Sequence, residues 1–350
     1  MMLRKIFLYF TLLMLAQQYA LAQGVPDYTQ VYHPVINEAE LLVVDKKYEQ
    51  ALEAYRQAFA AVPSPFARDY YNAAICALLL QERRKTFHYL EELVQKGVSL
   101  EYLERQPVLD SLRSTKQWQR FAKKYPKRRD KYEQKLNKEL RADLDELYAR
   151  DQYFRQAKGG WRVHGDTITK IEAANMKLLL GWIEEYGYPG EDLVGVADTL
   201  EQLPRFTVVI ERQTKARKGH DFTEVLTQAV QQGRIAPQAA AYLLDQQAGA
   251  SKYGSRVFAK INCSKCTDDE ELGTLDDYMT TKISRKEESK VDERRKKLGL
   301  EPLELYKYKI VHIGEKNRDR FMLTYPWSVI NYIVPSKEAA RVLLEKLTMK

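Results

Sequence analysis

The sequence lacks the short motifs by which many hydrolases, kinases and dehydrogenases are recognised. It has no G-x-S-x-G elbow, no H-E-x-x-H helix, no phosphate-binding G-x-x-x-x-G-K loop and no dinucleotide-binding G-x-G-x-x-G. Its five histidines are scattered, and none has a second His or Cys at the spacing of a metal-ligand pair. The chain therefore carries no signature of a metal site or a cofactor, and we predict neither.

Cysteine is scarce, with three residues in a chain of 350. Cys76 lies in an apolar helical stretch and is predicted to be a small core residue. Cys263 and Cys266 form a C-S-K-C motif, which outside the cytoplasm can close a short disulfide loop. A thioredoxin-like redox motif would need a strand before the pair and a helix after it, and a zinc site would need two more ligands.

No apolar run reaches the ~20 residues that cross a bilayer as a helix. The run Ile6–Ala16 follows two basic residues and precedes an A-L-A cleavage site that ends at Ala22. Residues 1–22 are therefore predicted to be a signal peptide, removed before Gln23. We expect an exported protein, in the periplasm or at the cell surface or outside the cell, with no transmembrane span after processing.

Positive charge is in modest excess, with a formal net charge of +8. Hydrophobic residues make up 45% of the chain and charged residues 30%. This composition excludes both a membrane bundle and a wholly disordered chain. Export argues against a nucleic acid partner. The basic residues cluster in 122–138, which is interpreted as a linker between two domains that either is simply solvated or contacts an anionic surface.

Helical periodicity dominates residues 31–121. Small and aromatic residues recur at helical spacing, at Ala51, Tyr55 and Ala58 and again from Tyr71. The pattern predicts four helices in two antiparallel pairs, similar to degenerate tetratricopeptide repeats, with small residues that let the helices approach. Two repeats bury too little surface alone, so short helices towards the end of this domain are expected to cap them.

Residues 139–350 are predicted to be a mostly helical α+β domain. Enrichment in β-branched and aromatic residues predicts two or three short strands, at Tyr306–Ile313, Arg320–Tyr325 and Val329–Val334, followed by a final helix over Lys337–Leu347. The run Thr207–Ile210 is too short for periodicity to distinguish strand from helix. The predicted fold class is thus mainly α, with helical hairpins first and a few short strands near the C-terminus.

Several short motifs of this second domain occur in a characteristic order. They are Asp151-Gln152 with Arg155, Asn175, E-Y-G-Y-P-G at 185–190, A-Y-L-L-D at 241–245, Tyr253-Gly254-Ser255, and V-D-E-R-R-K-K-L-G-L at 291–300. Together they resemble an uncharacterised bacterial domain family, a domain of unknown function often attached to repeats in exported proteins. Where that family has a His and a D-R pair, this chain has Glu211-Arg212 and Asp245-Gln246. The resemblance therefore implies a repurposed or inactive member.

Seven polar side chains of the second domain form the candidate polar cleft: Asp151, Arg155, Asn175, Asp245, Tyr253, Asp292 and Arg295. Converging in a cleft, they would bind a polar ligand or orient a water; buried together, they would hold helices in register.

Two functions follow from these patterns. The first is an exported interaction or scaffold module that binds an envelope protein or peptide in the groove of its helical repeats. The second is a hydrolase-like enzyme, inactive in this member if the missing His was catalytic, with the polar cleft as its site.

Overall fold

The computed structural model describes residues 26–197, 199–263, 279–281, 283–315 and 321–348. The predicted signal peptide, Cys266 and Arg320 lie outside these residues. Among the described helices, none is both long and apolar enough to cross a membrane.

The helical-hairpin region (residues 28–135) consists of consecutive helices. They are α1 (Tyr28–Val31), α2 (His33–Val44), α3 (Tyr48–Ala61), α4 (Ala67–Leu79), α5 (Arg83–Gln95), α6 (Leu100–Glu104), α7 (Asp110–Arg113) and α8 (Lys116–Lys135). Helices α2 and α3 pack as one hairpin and α4 and α5 as the next, which confirms the predicted pairs. Ala51, Ala58 and Ala74 are fully buried where these helices approach each other.

Residues 122–135 are part of helix α8 and not the predicted basic linker. Trp118, Phe121 and Tyr132 are spaced to lie on one face of this helix, and all three are buried. Arg128 pairs with Glu91 of α5, so part of the basic charge is used inside the fold. The basic residues of the segment predicted a linker, whereas the spacing of its aromatic residues indicates a helix with one buried face.

The C-terminal region (residues 138–348) is also mostly helical. Its helices are α9 (Lys138–Gln156), α10 (Gly160–Tyr186), α11 (Glu191–Val194), α12 (Thr207–Lys215), α13 (Thr223–Gln231), α14 (Pro237–Ala248), α15 (Arg285–Lys297), α16 (Leu303–Glu315) and α17 (Lys337–Thr348). The run Thr207–Ile210, left open by periodicity, is the start of helix α12. Ser336 caps α17 by accepting a hydrogen bond from the Ala339 N–H at 3.2 Å.

A small sheet completes this region. Strand β1 (Phe258–Cys263) pairs antiparallel with β2 (Met279–Thr281) and parallel with β3 (Val329–Val334), in the order β2-β1-β3. Strand β3 was predicted, whereas β1 and β2 were not. The predicted mainly α fold with a few short C-terminal strands is therefore confirmed.

Two of the predicted strands are wrong. Tyr306–Ile313 lies within helix α16, because Leu303, Tyr306 and Ile310 recur at helical spacing on its buried face. The described part of Arg320–Tyr325 has no regular secondary structure. Side chains of helix α4, described below, bond to the backbone of this segment in place of a neighbouring strand.

Residues of the two regions share one buried cluster. Val196 and Leu200, together with the segment 321–323, belong to the same buried cluster as the helical hairpins. Asn37 of α2 also donates a hydrogen bond to the Gly299 carbonyl at 2.8 Å. The face of α2 and α4 that would form a repeat groove is therefore covered by the chain's own C-terminal region.

Candidate functional site

The predicted polar residues fall into two groups, and the first ties helices α9, α10 and α12 together. Asp151 is buried, with Arg155 Nε 3.4 Å from its Oδ1 and Arg212 Nη2 3.4 Å from its Oδ2. Arg155 also pairs with Glu172. Asn175 donates from Nδ2 to the Leu147 carbonyl at 3.1 Å. Sequence reasoning did not place Glu172 and Arg212 in this group.

The second group organises the chain after helix α14. Asp245 accepts hydrogen bonds from the N–H groups of Tyr253 and Ser255 at 2.7 and 2.8 Å, and from the Ser255 hydroxyl at 2.8 Å. Arg295, which has no exposed surface, donates to the carbonyls of Glu301 at 2.6 Å and Tyr253 at 3.1 Å. Asp292 accepts from the Leu303 N–H at 2.8 Å.

The contacts of both groups mainly stabilise the fold. In the first group, most contacts are ion pairs between neighbouring side chains. In the second group, most are hydrogen bonds between side chains and the backbone. No hydrogen bond or ion pair within the described ranges joins one group to the other. None of the seven residues lines the interior cavity described next.

This cavity lies between the helical-hairpin region and the C-terminal region. Its walls come from α2, the start of α4, the turn 188–191, the loop around 196–204 and the start of α14. Its volume is about 130 Å³, close to the ~150 Å³ of an engineered cavity that binds benzene. The space therefore suits one small molecule or a few waters.

Several residues that line the cavity have polar side-chain atoms that are buried without a hydrogen-bond partner. Gln238, 7% exposed, has neither its Nε2 nor its Oε1 bonded, and the Tyr188 hydroxyl and His33 Nε2 are also unbonded. The hydroxyl of Thr199 and the Nη1 of Arg68 belong to the same set. An unpartnered buried polar group costs about 1–3 kcal/mol, so a concentration of such groups around one cavity needs a physical explanation.

Two side chains at the start of α4 carry opposite charge in the cavity wall. Arg68 donates from Nη2 to the carbonyls of Met322 and Thr324 at 2.8 and 2.9 Å and stacks on Tyr325, 3.8 Å from the ring centroid. Asp69 accepts a hydrogen bond from the Tyr32 hydroxyl at 2.6 Å. Burial raises the pKa of Asp69 and the Arg68 charge lowers it, but no ion pair among the described residues involves either side chain.

The electrostatics of the cavity disfavour charge that has no partner. Burial, with Glu40 nearby, raises the pKa of Asp69 to about 7. Burial also raises the pKa of Glu191, which accepts a hydrogen bond from the Ala67 N–H at 2.9 Å. Burial lowers the pKa of His33 to about 3, so its imidazole is neutral. Within the described ranges, no cluster of three or more His, Cys, Asp or Glu residues could hold a metal ion.

A closed network of charges borders the cavity. Lys309 of α16 pairs with Glu40 of α2 at 2.5 Å and with Glu301 at 3.0 Å, and Arg295 Nη2 lies 3.8 Å from Glu301. Burial alone would raise the pKa of Glu301, but Lys309 and Arg295 lower it. The network connects the two regions and pairs its central cation, Lys309, while Nη2 of Arg295 has no hydrogen-bond partner.

A bidentate contact fixes the segment after α16 against α4. Asn72 donates from Nδ2 to the Met322 carbonyl at 3.2 Å and accepts from the Met322 N–H at 2.8 Å. Phe321 stacks on Tyr48 with ring centroids 6.0 Å apart. Side chains of the helical hairpins thus hold the backbone of this segment, which belongs to the chain itself.

Neither a family model, nor a curated protein, nor a solved structure matches this chain. The resemblance of its second domain to an uncharacterised bacterial family therefore stays a prediction.

Cys263 is the last residue of β1 and is disulfide-bonded. Its predicted partner, Cys266, lies outside the described residues, so the pairing stays a prediction. Cys76 is buried with a free thiol, as expected for a core residue.

Proposed function

We propose that this protein binds a small polar molecule in the cavity between its two regions. The observation that carries the proposal is the set of unpartnered buried polar atoms around the cavity, above all both side-chain atoms of Gln238. A cavity that served only packing would be lined by apolar groups or by polar groups bonded to one another.

The groove hypothesis is less well supported, because the chain's own segment 321–325 and helix α16 occupy the face that a partner peptide would need. An envelope protein or peptide would first have to displace these contacts. The hydrolase alternative draws little support from the seven predicted residues, since most of their bonds hold the fold together. Export to the periplasm or beyond remains part of the proposal and rests on the predicted signal peptide.

A thermal-shift screen of small polar compounds tests the proposal. A ligand at about 100 times its Kd should stabilise the protein by about 2.7 kcal/mol. The stabilisation should disappear in Gln238→Leu and persist in Gln231→Leu, which changes an exposed glutamine at the end of α13. The proposal would be overturned if no compound raised the Tm of the wild type, or if every compound that did so raised the Tm of Gln238→Leu equally.

A further inference from the structure

The charges that line the cavity restrict the class of ligand it would take. Arg68 presents an Nη1 without a hydrogen-bond partner, and among the described residues no carboxylate pairs with this guanidinium. Its other contacts, to two carbonyls and the Tyr325 ring, fix the guanidinium in place. A fixed guanidinium with free donors is suited to a carboxylate.

Acidic side chains face the same space. Asp69 has its Oδ2 bonded to the Tyr32 hydroxyl, and within the described ranges no Lys, Arg or His lies in ion-pair contact with it. One carboxylate oxygen of Glu191 accepts from the Ala67 N–H, and the half-buried Lys96 contributes a nearby positive charge. Against the effect of burial, Arg68 lowers the pKa of Asp69 through its charge but makes no ion pair with it, and an ammonium group in the cavity would supply that contact.

The remaining lining is mixed. Gln238 can both donate and accept, whereas Ile36, Leu203 and Leu323 are apolar. A ligand that carried one charge alone would leave either Arg68 or Asp69 without an ion-pair contact, which is unfavourable for charged groups in a partly buried site. A ligand with both charges and a small apolar portion would give the charged, the polar and the apolar groups of the cavity wall a partner each.

We propose that the ligand is a small zwitterion, an amino-acid-like molecule whose carboxylate binds Arg68 and whose ammonium binds Asp69. This inference rests on the proposed function of the cavity. Because Arg68 and Asp69 are each fixed by hydrogen bonds to other groups, the site is organised before the ligand enters, which reduces the cost of binding.

Calorimetric titration with matched probes tests the class. L-valine and γ-aminobutyrate offer both charges at different separations, isobutylamine lacks the carboxylate, isovalerate lacks the ammonium, and isobutyramide has no charge. We expect at least one zwitterion to bind, and the singly charged and neutral probes to bind at least about tenfold more weakly.

The variant Asp69→Asn sharpens this test, because the asparagine can still accept the Tyr32 hydrogen bond. It should weaken the zwitterion at least about tenfold while leaving isovalerate nearly unchanged. Asp166→Asn, at an exposed aspartate of α10, is the control and should change neither.

The outcomes separate the two proposals. If isobutyramide binds as well as the zwitterions and Asp69→Asn has no effect, the ligand class is wrong but the cavity still binds small molecules. If only a singly charged probe binds, the class is wrong as well. If no probe binds and the wider screen of polar compounds also fails, the proposed function itself is wrong.

Discussion

Lys309 and Arg68 are two cations inside the same interface, yet their surroundings differ. Lys309 bonds to Glu40 and Glu301 and has no unpartnered atom, whereas Arg68 keeps an Nη1 without a partner and pairs with no carboxylate among the described residues. The protein thus pairs Lys309 with its own carboxylates, in what we call the closed half of the interface, and leaves Arg68 without one, in what we call the open half. Since a charge without an ion-pair partner is unfavourable in a partly buried site, we interpret the open half as a site completed by a ligand.

The largest expected effect comes from breaking the closed half. Lys309→Met leaves Glu40 without its paired cation and Glu301 with Arg295 alone, and should lower the free energy of unfolding by about 3–5 kcal/mol. Denaturant unfolding monitored by circular dichroism measures the loss. Lys297→Met, at an exposed lysine of α15, should change stability little. A loss below about 1 kcal/mol for Lys309→Met would show that the network does not hold the regions together.

The pH dependence of stability tests the open half, because the carboxyl group of Asp69 lies there. The pKa of Asp69 is about 7 in the folded protein, and about 3.9 is typical of an unfolded chain. The folded state therefore retains a proton that the unfolded state releases, so this carboxyl lowers stability as the pH rises from about 4 to 7. Asp69→Asn removes this contribution without altering that of His33.

We accordingly expect the difference in unfolding free energy, Asp69→Asn minus wild type, to grow with pH. Between about pH 4 and pH 8 the growth should reach up to about 4 kcal/mol, at about 1.4 kcal/mol per unit of pKa shift. Denaturant titrations at a series of pH values measure this difference. A difference that stays constant across the range would mean that Asp69 is already paired in the folded protein.

The Asn72 contact tests whether the segment 321–325 belongs to the closed half. Asn72→Ala removes both bonds to Met322 and leaves a buried backbone N–H without a partner, which should cost about 1–3 kcal/mol. Asn331→Ala, at an exposed position of β3, is the control for losing an asparagine. Hydrogen exchange at Met322 should accelerate in the first variant only; an unchanged rate would mean that other contacts suffice to hold the segment.

The smallest expected effect has the opposite sign. Gln238→Leu replaces an amide that has no partners and should stabilise the ligand-free protein by about 1–2 kcal/mol. Gln231→Leu should leave stability within about 0.5 kcal/mol of the wild type. Destabilisation by Gln238→Leu would show that the amide is hydrogen-bonded in the ligand-free protein. The proposal of a ligand site in the open half would then lose its main observation.

Much of this fold was readable from the sequence. Spacing of small and aromatic residues predicted the helical hairpins, and β-branched enrichment predicted β3. The same enrichment misled at Tyr306–Ile313, where burial of one helical face decides the structure. The segment 321–325 was misread because its backbone bonds to Asn72 and Arg68, a partnership that local sequence does not encode.

The cavity was much harder to predict. Its walls combine residues as distant in the chain as His33, Tyr188 and Gln238. The E-Y-G-Y-P-G motif did single out the turn that carries Tyr188, but as a sign of resemblance and not of a cavity. Whether a buried amide has a partner depends on tertiary geometry, and no periodicity or spacing reports it.

Native mass spectrometry tests the central claim most directly. The wild type, Gln231→Leu and Gln238→Leu would each be incubated with a mixture of small polar metabolites that includes amino acids. The account predicts a single small molecule bound to the wild type and to Gln231→Leu, and none bound to Gln238→Leu. The account would be contradicted if all three proteins showed only the ligand-free mass, or if all three bound the same small molecule.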